Sequence, residues 1–586
     1  MIKKIASSAL VCLTGLSFSS CVDNDYDLSK DIDMNITVGG NITLPPSSTD
    51  RYTLAQILDL DNSSSIKPDG HLYGLAKDDY VLVQDGNVSP TTFSIAEVTI
   101  SDVDSDNSNT ELLFIGTGSA TDQLLATVQN LTNTIELSDD NVDPQIISVK
   151  EAEGDIDFSF RLHFQSTDGY NGNLTIKQGF TISFPKEWTI ENHTTGDFTE
   201  FRANNVLTFT RDYVQTVGQS LDLKFKVTKI DVSTASEGQG IYAPGHFRLD
   251  GQIVSNGNVT MANGTLGAGR ASLINVLTEP IVQDAVLTSF TGIVNPDIKI
   301  DPTSFVINDV PGFLKEPGNN LDIDNPSINL TIHNTSPAEA EINALLKSVF
   351  SNGEAPVEVW IGSEHGTDPI IVAGNSTTVL SLSRKGTGAP AGGVNIKVPE
   401  LGNLIASIPD RIEMSNIDAQ VPQDKYYKFN LGRSYDFSVN YQVVVPLAFG
   451  KDLKFTYSTV DDGWDDDLEK YNFREILATV TVSNTAPLNM VPTVHGIDRH
   501  GNVLTDITAE VEGVVAAGTL SSPTESELKI TIRSTGSNIG DLDGVELLFD
   551  ATSDTRFVGT PLNAAQALKF TNIVLKLIGG IDIDLN

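Results

Sequence analysis

The chain has 586 residues, 39% hydrophobic and 19% charged, with 77 Asp+Glu against 37 Lys+Arg and a formal net charge of −40. That surplus of carboxylates repels polyphosphates and anionic lipid surfaces, which argues against nucleic-acid binding and against lying flat on a membrane. The apolar content is too high for a disordered acidic tail, so the chain folds, and its length implies several domains.

At the N-terminus, Lys3 and Lys4 followed by the apolar stretch Ile5 to Phe18 read as the n- and h-regions of an export signal over residues 1–20, too short to span a bilayer. Ser19 and Ser20 then precede Cys21, an arrangement that resembles a lipobox, where signal peptidase II cuts and the new N-terminal cysteine is acylated; Phe18 stands where Leu is usual. The only other cysteine, Cys12, leaves with the signal, so the mature chain forms no internal disulfide and Cys21 is the expected lipid attachment point. Acyl chains there hold a protein to a membrane because each buried methylene contributes about 0.8 kcal/mol.

An acidic tether over 21–45 follows, Val22-Asp23-Asn24-Asp25-Tyr26-Asp27 running into Leu28-Ser29-Lys30-Asp31-Ile32-Asp33, with Val22 where an inner-membrane retention signal has Asp. Together with Asp33-Met34-Asn35-Ile36-Thr37-Val38-Gly39-Gly40-Asn41 and Leu44-Pro45, it resembles the opening of uncharacterised surface and outer-membrane lipoproteins of the Bacteroidetes. The resemblance implies an outer-membrane, lipid-anchored, surface-exposed protein. It brings no activity with it.

Next comes a β-rich domain over 46–150. Within it, Asp102-Val103-Asp104-Ser105-Asp106 begins like a calcium loop, but Asn107 replaces the required Gly and Leu113 the required Glu, so it fails as an EF-hand. Phe158 to Phe164 and Leu221 to Val227 alternate apolar and polar residues at period two, the pattern of half-buried strands. Similar runs recur at Ile328 to Ile332, Val394 to Val398, Phe437 to Val445 and Ala478 to Val482, separated by Gly, Asn, Asp and Pro turns. The fold class is therefore mainly β, several tandem antiparallel β-sandwich modules with few short helices. The clearest helix is expected over 337–350: Ser336, Pro337 and Glu339 supply a cap, a first-turn proline and a capping-box partner, and Ile342, Leu345, Leu346, Val349 and Phe350 form one apolar stripe. At the C-terminus, Ile573 to Ile578 and Ile581 to Leu585 flank Gly579-Gly580, the signature of a hairpin packed into a sheet.

A search for repeats finds collinear matches. Pro185, Asp222-Leu223-Lys224-Phe225, Phe247-Arg248 and Ser255-Asn256 recur as Pro409, Asp452-Leu453-Lys454-Phe455, Phe473-Arg474 and Ser483-Asn484, at offsets of 224, 230, 226 and 228. These predict a tandem duplication, one sandwich over 151–275 and its copy over 395–510, separated by a β-rich domain over 276–394 and followed by a β-rich segment over 511–586.

Catalytic signatures are missing. The eight histidines lack metal-ligand spacing, no Gly-x-Ser-x-Gly or phosphate-binding glycine motif occurs, and Gly264 to Gly269 reads as a turn. One loop stands out: Asp461, Asp462, Asp465, Asp466 and Asp467 surround Trp464. It is a candidate calcium site or a tryptophan platform for a glycan, and the preferred reading is an apolar plug in a charged turn. No cofactor is expected beyond calcium at that loop. The expected role is non-catalytic: binding, adhesion or assembly with a protein or glycan partner, with glycan capture for polysaccharide uptake as the alternative and a glycoside hydrolase ranking last. An exposed row of aromatics would favour glycans, and an apolar open sheet edge would favour assembly by strand addition.

Overall fold

The computed structural model describes residues 35–584 apart from 44, 50, 58–59, 61–64, 101, 235–237, 263–265, 465–471 and 537–538; Cys21 lies outside that range. Strand accounts for 59% of the residues and helix for 5%. Six sheets hold the strands, and almost every pairing is antiparallel; Val394–Lys397 against Ser376–Ser383 is a parallel exception. The sheets form three two-layer sandwiches, each closed by the alternation that the sequence shows.

The large sandwich, built mostly from residues 98–294, stacks a 9-stranded sheet on a 7-stranded one. Its floor is the pairing of the 24-residue strand Ala271–Val294 with Ile146–Ser166, bent by several register shifts. Phe158, Phe160, Phe184, Trp188 and Phe225 are buried between the layers, with Phe158 and Phe225 rings 6.1 Å apart. The middle sandwich pairs a 6-stranded sheet containing Val81–Ile95 and Arg433–Pro446 with a 5-stranded sheet containing Ala340–Val349 and Arg411–Gln420. The terminal sandwich pairs a 6-stranded sheet, ordered Asn35–Thr43, Ala567–Asp584, Asn472–Asn484, Thr524–Ser534, Ile507–Glu512, with a 3-stranded sheet of Lys454–Asp461, Gly544–Ser553 and Leu488–Ile497.

These units are nested along the chain and do not follow one another. Strand Asn35–Thr43 pairs with Ala567–Asp584, so the terminal sandwich encloses the other two in sequence; Val81–Ile95 belongs to the middle sandwich, whose remaining strands come after the large one. The expected domain boundaries at 150, 275, 394 and 510 accordingly fall inside strands Ile146–Ser166, Ala271–Val294, Val394–Lys397 and Ile507–Glu512.

The predicted duplication is corrected in the same way. Asp222-Leu223-Lys224-Phe225 lies within Ser220–Asp231, paired on both sides in the 7-stranded sheet, where Asp222 meets Arg161 at 2.8 Å. Asp452 and Leu453 precede an edge strand of the 3-stranded sheet, and the Asp452 N–H donates to Asp322 Oδ2 at 2.9 Å. The collinear matches are accidental, because an apolar–polar alternation with a turn beside it recurs in any sandwich.

A different repeat is present. Asn334-Thr335-Ser336-Pro337 and Asn484-Thr485-Ala486-Pro487 are 150 residues apart (484 − 334) and end equivalent strands. In each, the buried Asn carboxamide accepts from the N–H two residues on (Ser336 at 2.9 Å, Ala486 at 2.7 Å) and donates four residues on (Ala338 O at 2.9 Å, Leu488 O at 3.0 Å). In each, the following Thr exchanges hydrogen bonds with the neighbouring strand, at Asp436 and Ala567. Strand neighbours also correspond: Ser327–Asn334 lies between Ser376–Ser383 and Arg433–Pro446 as Asn472–Asn484 lies between Thr524–Ser534 and Ala567–Asp584. In the facing sheets, Thr303–Val306, Arg411–Gln420 and Ala340–Val349 correspond to Lys454–Asp461, Gly544–Ser553 and Leu488–Ile497. The middle and terminal sandwiches are thus two copies of one topology.

The helix expected over 337–350 is the strand Ala340–Val349, buried along most of its length between Arg411–Gln420 on one edge and Glu358–Ile361 and Ile370–Val372 on the other. A bulge between Asn343 and Leu345 breaks the period-two phase, and that break produces spacings of three and four between buried residues. Ser336 caps no helix, since its N–H goes to Asn334 Oδ1 and its hydroxyl donates to Ala338 O. Among the described residues the one α-helix is Leu54–Ile57. The C-terminal hairpin is likewise one continuous strand, in which Gly580 and Gly579 stand opposite Gly39 and Gly40. The alternation on either side of the glycines belongs to a single strand that remains in its sheet.

Candidate functional site

The acidic loop resolves toward its apolar reading. Asp461 ends the strand Lys454–Asp461, Asp462 is exposed, and Asp465, Asp466 and Asp467 lie outside the described residues. Trp464 is only 7% exposed and packs in a small core with Phe473, Val494, Ile539 and Leu542, its backbone N–H donating to Asp543 O at 2.6 Å. A ring so buried offers no stacking face to a sugar. Among the described residues no group of three or more His, Cys, Asp or Glu is placed to hold a metal ion.

Among the described residues no row of aromatics lies on the surface either. The large exposed aromatics Tyr242, Trp360 and Tyr426 stand on separate elements, each beside a neighbour: the His246 ring centre lies 5.7 Å from that of Tyr242, His365 lies 4.5 Å from the Trp360 ring centre, and Lys150 Nζ sits 5.6 Å from that of Tyr426. His163 Nδ1 and Ser220 Oγ are 3.1 Å apart across a strand pair, a nucleophile–base spacing. They stand on an open sheet face, and among the described residues no carboxylate accepts a hydrogen bond from the imidazole to orient it.

The feature that sequence reasoning missed lies inside the terminal sandwich. Between its two sheets is a cavity of about 270 Å³, walled by Ala478 and Val480, Leu528 and Ile530, and Phe570, Ile573 and Leu575 on one side, and by Phe455, Tyr457, Met490, Val494, Phe549 and Ala551 on the other. Tyr52, Leu54 and Ile57 close one flank. These are the inward positions of strands whose alternation is visible in the sequence, but the distance between facing layers is not. Val460, 55% exposed, and the exposed Gln56 also line the space and mark where it reaches solvent. Polar residues line it at both ends: Thr459 and Asp461, opposite Leu547 and Val545, stand beside Val460, whereas Tyr52, opposite Leu568, and Gln56 lie toward the Leu488 end. Among the described residues no Lys or Arg lines the space.

Size decides its meaning. Leaving apolar walls of this extent unfilled works against the sandwich, because side chains facing a void lose their packing partners. Water is a poor filler, because it needs two to four polar partners and the deep walls offer carbon. An apolar cavity of about 150 Å³ already accepts benzene. The terminal sandwich therefore has room for an apolar ligand larger than that.

A second, polar groove of about 320 Å³ on the outer face is lined by Arg51, Lys569, Ser483 and Thr485. Arg51 and Lys569 are cross-strand partners, and the guanidinium donates to Ala565 O at 3.1 Å.

No protein-family model matches the chain. No curated protein matches it either. Among solved structures, an inferred secreted protein from Parabacteroides distasonis ATCC 8503 is similar at a TM-score of 0.34 and 15% identity, over 47% of this chain and 81% of that one. A likeness that distant assigns no role. Among the described residues no helix is long and apolar enough to cross a membrane.

Proposed function

We propose that this protein is a non-catalytic lipoprotein, anchored at the cell surface through acylated Cys21, whose role is binding. The observation that carries the binding role is the apolar cavity of about 270 Å³ in the terminal sandwich, which has carbon walls, Thr459 and Asp461 beside its exposed Val460 edge and, among the described residues, no constellation of acid, base and nucleophile. The anchor is supported by Lys3 and Lys4, the apolar run Ile5 to Phe18 and the single remaining cysteine. Glycan capture, the alternative, lacks a stacking surface among the exposed aromatics; the Arg51–Lys569 groove leaves acidic sugars as the version with an observation behind it. The test is twofold. Protease added to intact cells should remove the protein while sparing periplasmic markers, and the mature N-terminal peptide should begin at Cys21 and carry fatty acid. A protein that survives protease and lacks acyl mass overturns the reading.

A further inference from the structure

We propose that the interior of the terminal sandwich binds one hydrocarbon chain beneath an uncharged polar head, the class represented by long-chain alcohols and monoacylglycerols. The proposal rests on the binding role above and gives it a ligand.

The first support comes from the sister sandwich. With Asn334 and Asn484 fixing the register, Ile328, Leu330 and Ile332 on the inner face of the middle sandwich correspond to Ala478, Val480 and Val482 in the terminal one (each pair 150 residues apart). All three positions have lost side-chain carbon. The flanking strand is held nearly constant, since Ser376 pairs with Asn334 as Thr524 pairs with Asn484, which sets Leu380 and Leu382 against Leu528 and Ile530. In the middle sandwich Leu330 stands opposite Tyr441, whose ring packs against Phe305 at 4.3 Å. In the terminal sandwich the corresponding stretch of Ala567–Asp584 is a register shift with Ile573 at the cavity wall. One topology therefore carries larger side chains on this wall in one copy and smaller ones beside a cavity in the other.

The second support is shape and charge. Leu488, Met490, Pro492 and Val494 line the cavity from one strand and span six residues, roughly 20 Å at about 3.4 Å per residue, so the space suits an extended chain better than a compact ring. Beside the exposed Val460, Thr459 and the preceding Tyr457 on the same strand can exchange hydrogen bonds with a hydroxyl or ester, whereas Asp461 and the net charge of −40 oppose an anionic head, and among the described residues no Lys or Arg lines the space.

The test is displacement of the neutral probe N-phenyl-1-naphthylamine from the full mature chain carrying Cys21→Ser, so that no attached acyl chain competes. Affinity should climb about tenfold or more for each two carbons from 1-octanol to 1-dodecanol, because each buried methylene is worth about fourfold, and dodecanoate at neutral pH should bind at least tenfold more weakly than 1-dodecanol. Ala478→Ile with Val480→Leu restores the side chains of the middle sandwich and should weaken 1-dodecanol at least tenfold while the melting temperature holds or rises. Val480→Leu alone, expected to lose about fourfold, serves if the double variant fails to fold. Equal binding of dodecanoate and 1-dodecanol overturns the uncharged head. Undiminished binding by the filled variants moves the apolar site elsewhere and overturns this assignment, while the binding role stands. Absence of any probe or alcohol binding by the folded parent removes this ligand class; a failure of the binding role itself would additionally require no retention on protein or glycan arrays.

Discussion

Removing one buried carboxamide tests both the energetics of the terminal sandwich and its kinship with the middle one. Asn484 is 0% exposed; its Nδ2 donates to Leu488 O at 3.0 Å and Ala516 O at 2.9 Å, and its Oδ1 accepts from the Ala486 N–H at 2.7 Å. Asn484→Ala deletes three hydrogen bonds and leaves two carbonyls and an amide without partners where water has little access. At about 1 kcal/mol net per bond, and more for groups left buried and unsatisfied, the loss should be about 3–5 kcal/mol. Asn334→Ala should lose a similar amount, because Asn334 donates to Ala338 O and Ala373 O and accepts from the Ser336 N–H. Asn484→Asp should be no better than Ala at neutral pH, since it turns the donor into a second acceptor facing two carbonyls, and should recover partly on acidification as one oxygen regains a proton. The three tryptophans make the assay clean: Trp188, Trp360 and Trp464 fall one in each sandwich. In a Trp188→Phe, Trp360→Phe background, urea unfolding followed by Trp464 fluorescence reports the terminal unit. A shift below about 1 kcal/mol for Asn484→Ala, or variants at 334 and 484 that behave unalike, would refute the reasoning.

Trp464→Ala should cost about 3–5 kcal/mol, as for other buried aromatics. Trp464→Phe should cost far less than Ala, because the indole N–H has no hydrogen-bond partner among the described residues; calorimetric melting distinguishes the two, and an equal loss would contradict the plug. Cys21→Ser should release the protein from membrane fractions and abolish fatty-acid labelling; retention of an unlabelled protein would count against the anchor. Asp554, held at a pKa of about 2 by hydrogen bonds from the Arg556 side chain and backbone, contributes stability that is complete above the ordinary value of 3.8 and is lost as pH falls toward 2. Because the Arg556 side chain is 62% exposed, the contribution is under about 1 kcal/mol. Asp554→Asn should therefore lower the melting temperature slightly at neutral pH and narrow the gap to the parent in acid, and a gap that widens in acid would be wrong in sign.

Much of the strand content was legible because burial on one face imposes period two, as in Phe158 to Phe164, where Phe158, Phe160, Leu162 and Phe164 all point inward. Reading failed where a strand is covered on both faces and bulged. At Ala340–Val349 the broken phase imitates a helical stripe, and Ser336-Pro337 imitates its cap while serving an Asn-centred turn. Gly579-Gly580 misled for the opposite reason: two glycines signal a turn only when the chain reverses, and here Asn35–Thr43 and Asn472–Asn484 hold both sides of the strand. Nesting was invisible because the partners of Asn35–Thr43 lie more than 500 residues away (576 − 43 = 533 at the nearer end). The true repeat was present in the sequence as Asn-Thr-x-Pro, a tetrapeptide whose value comes from the buried turn it builds. The cavity could not be read at all, because Ala478 and Val480 look like ordinary strand residues until Ile328 and Leu330 are set beside them.

The most direct test of the account is a crystal structure of the mature chain grown with 1-dodecanol. The account predicts continuous density for one extended chain between Val480 and Phe549, its hydroxyl at the Tyr457 and Thr459 end. Two sheets closed upon each other, with Ala478 touching Met490 and no density between them, would contradict it.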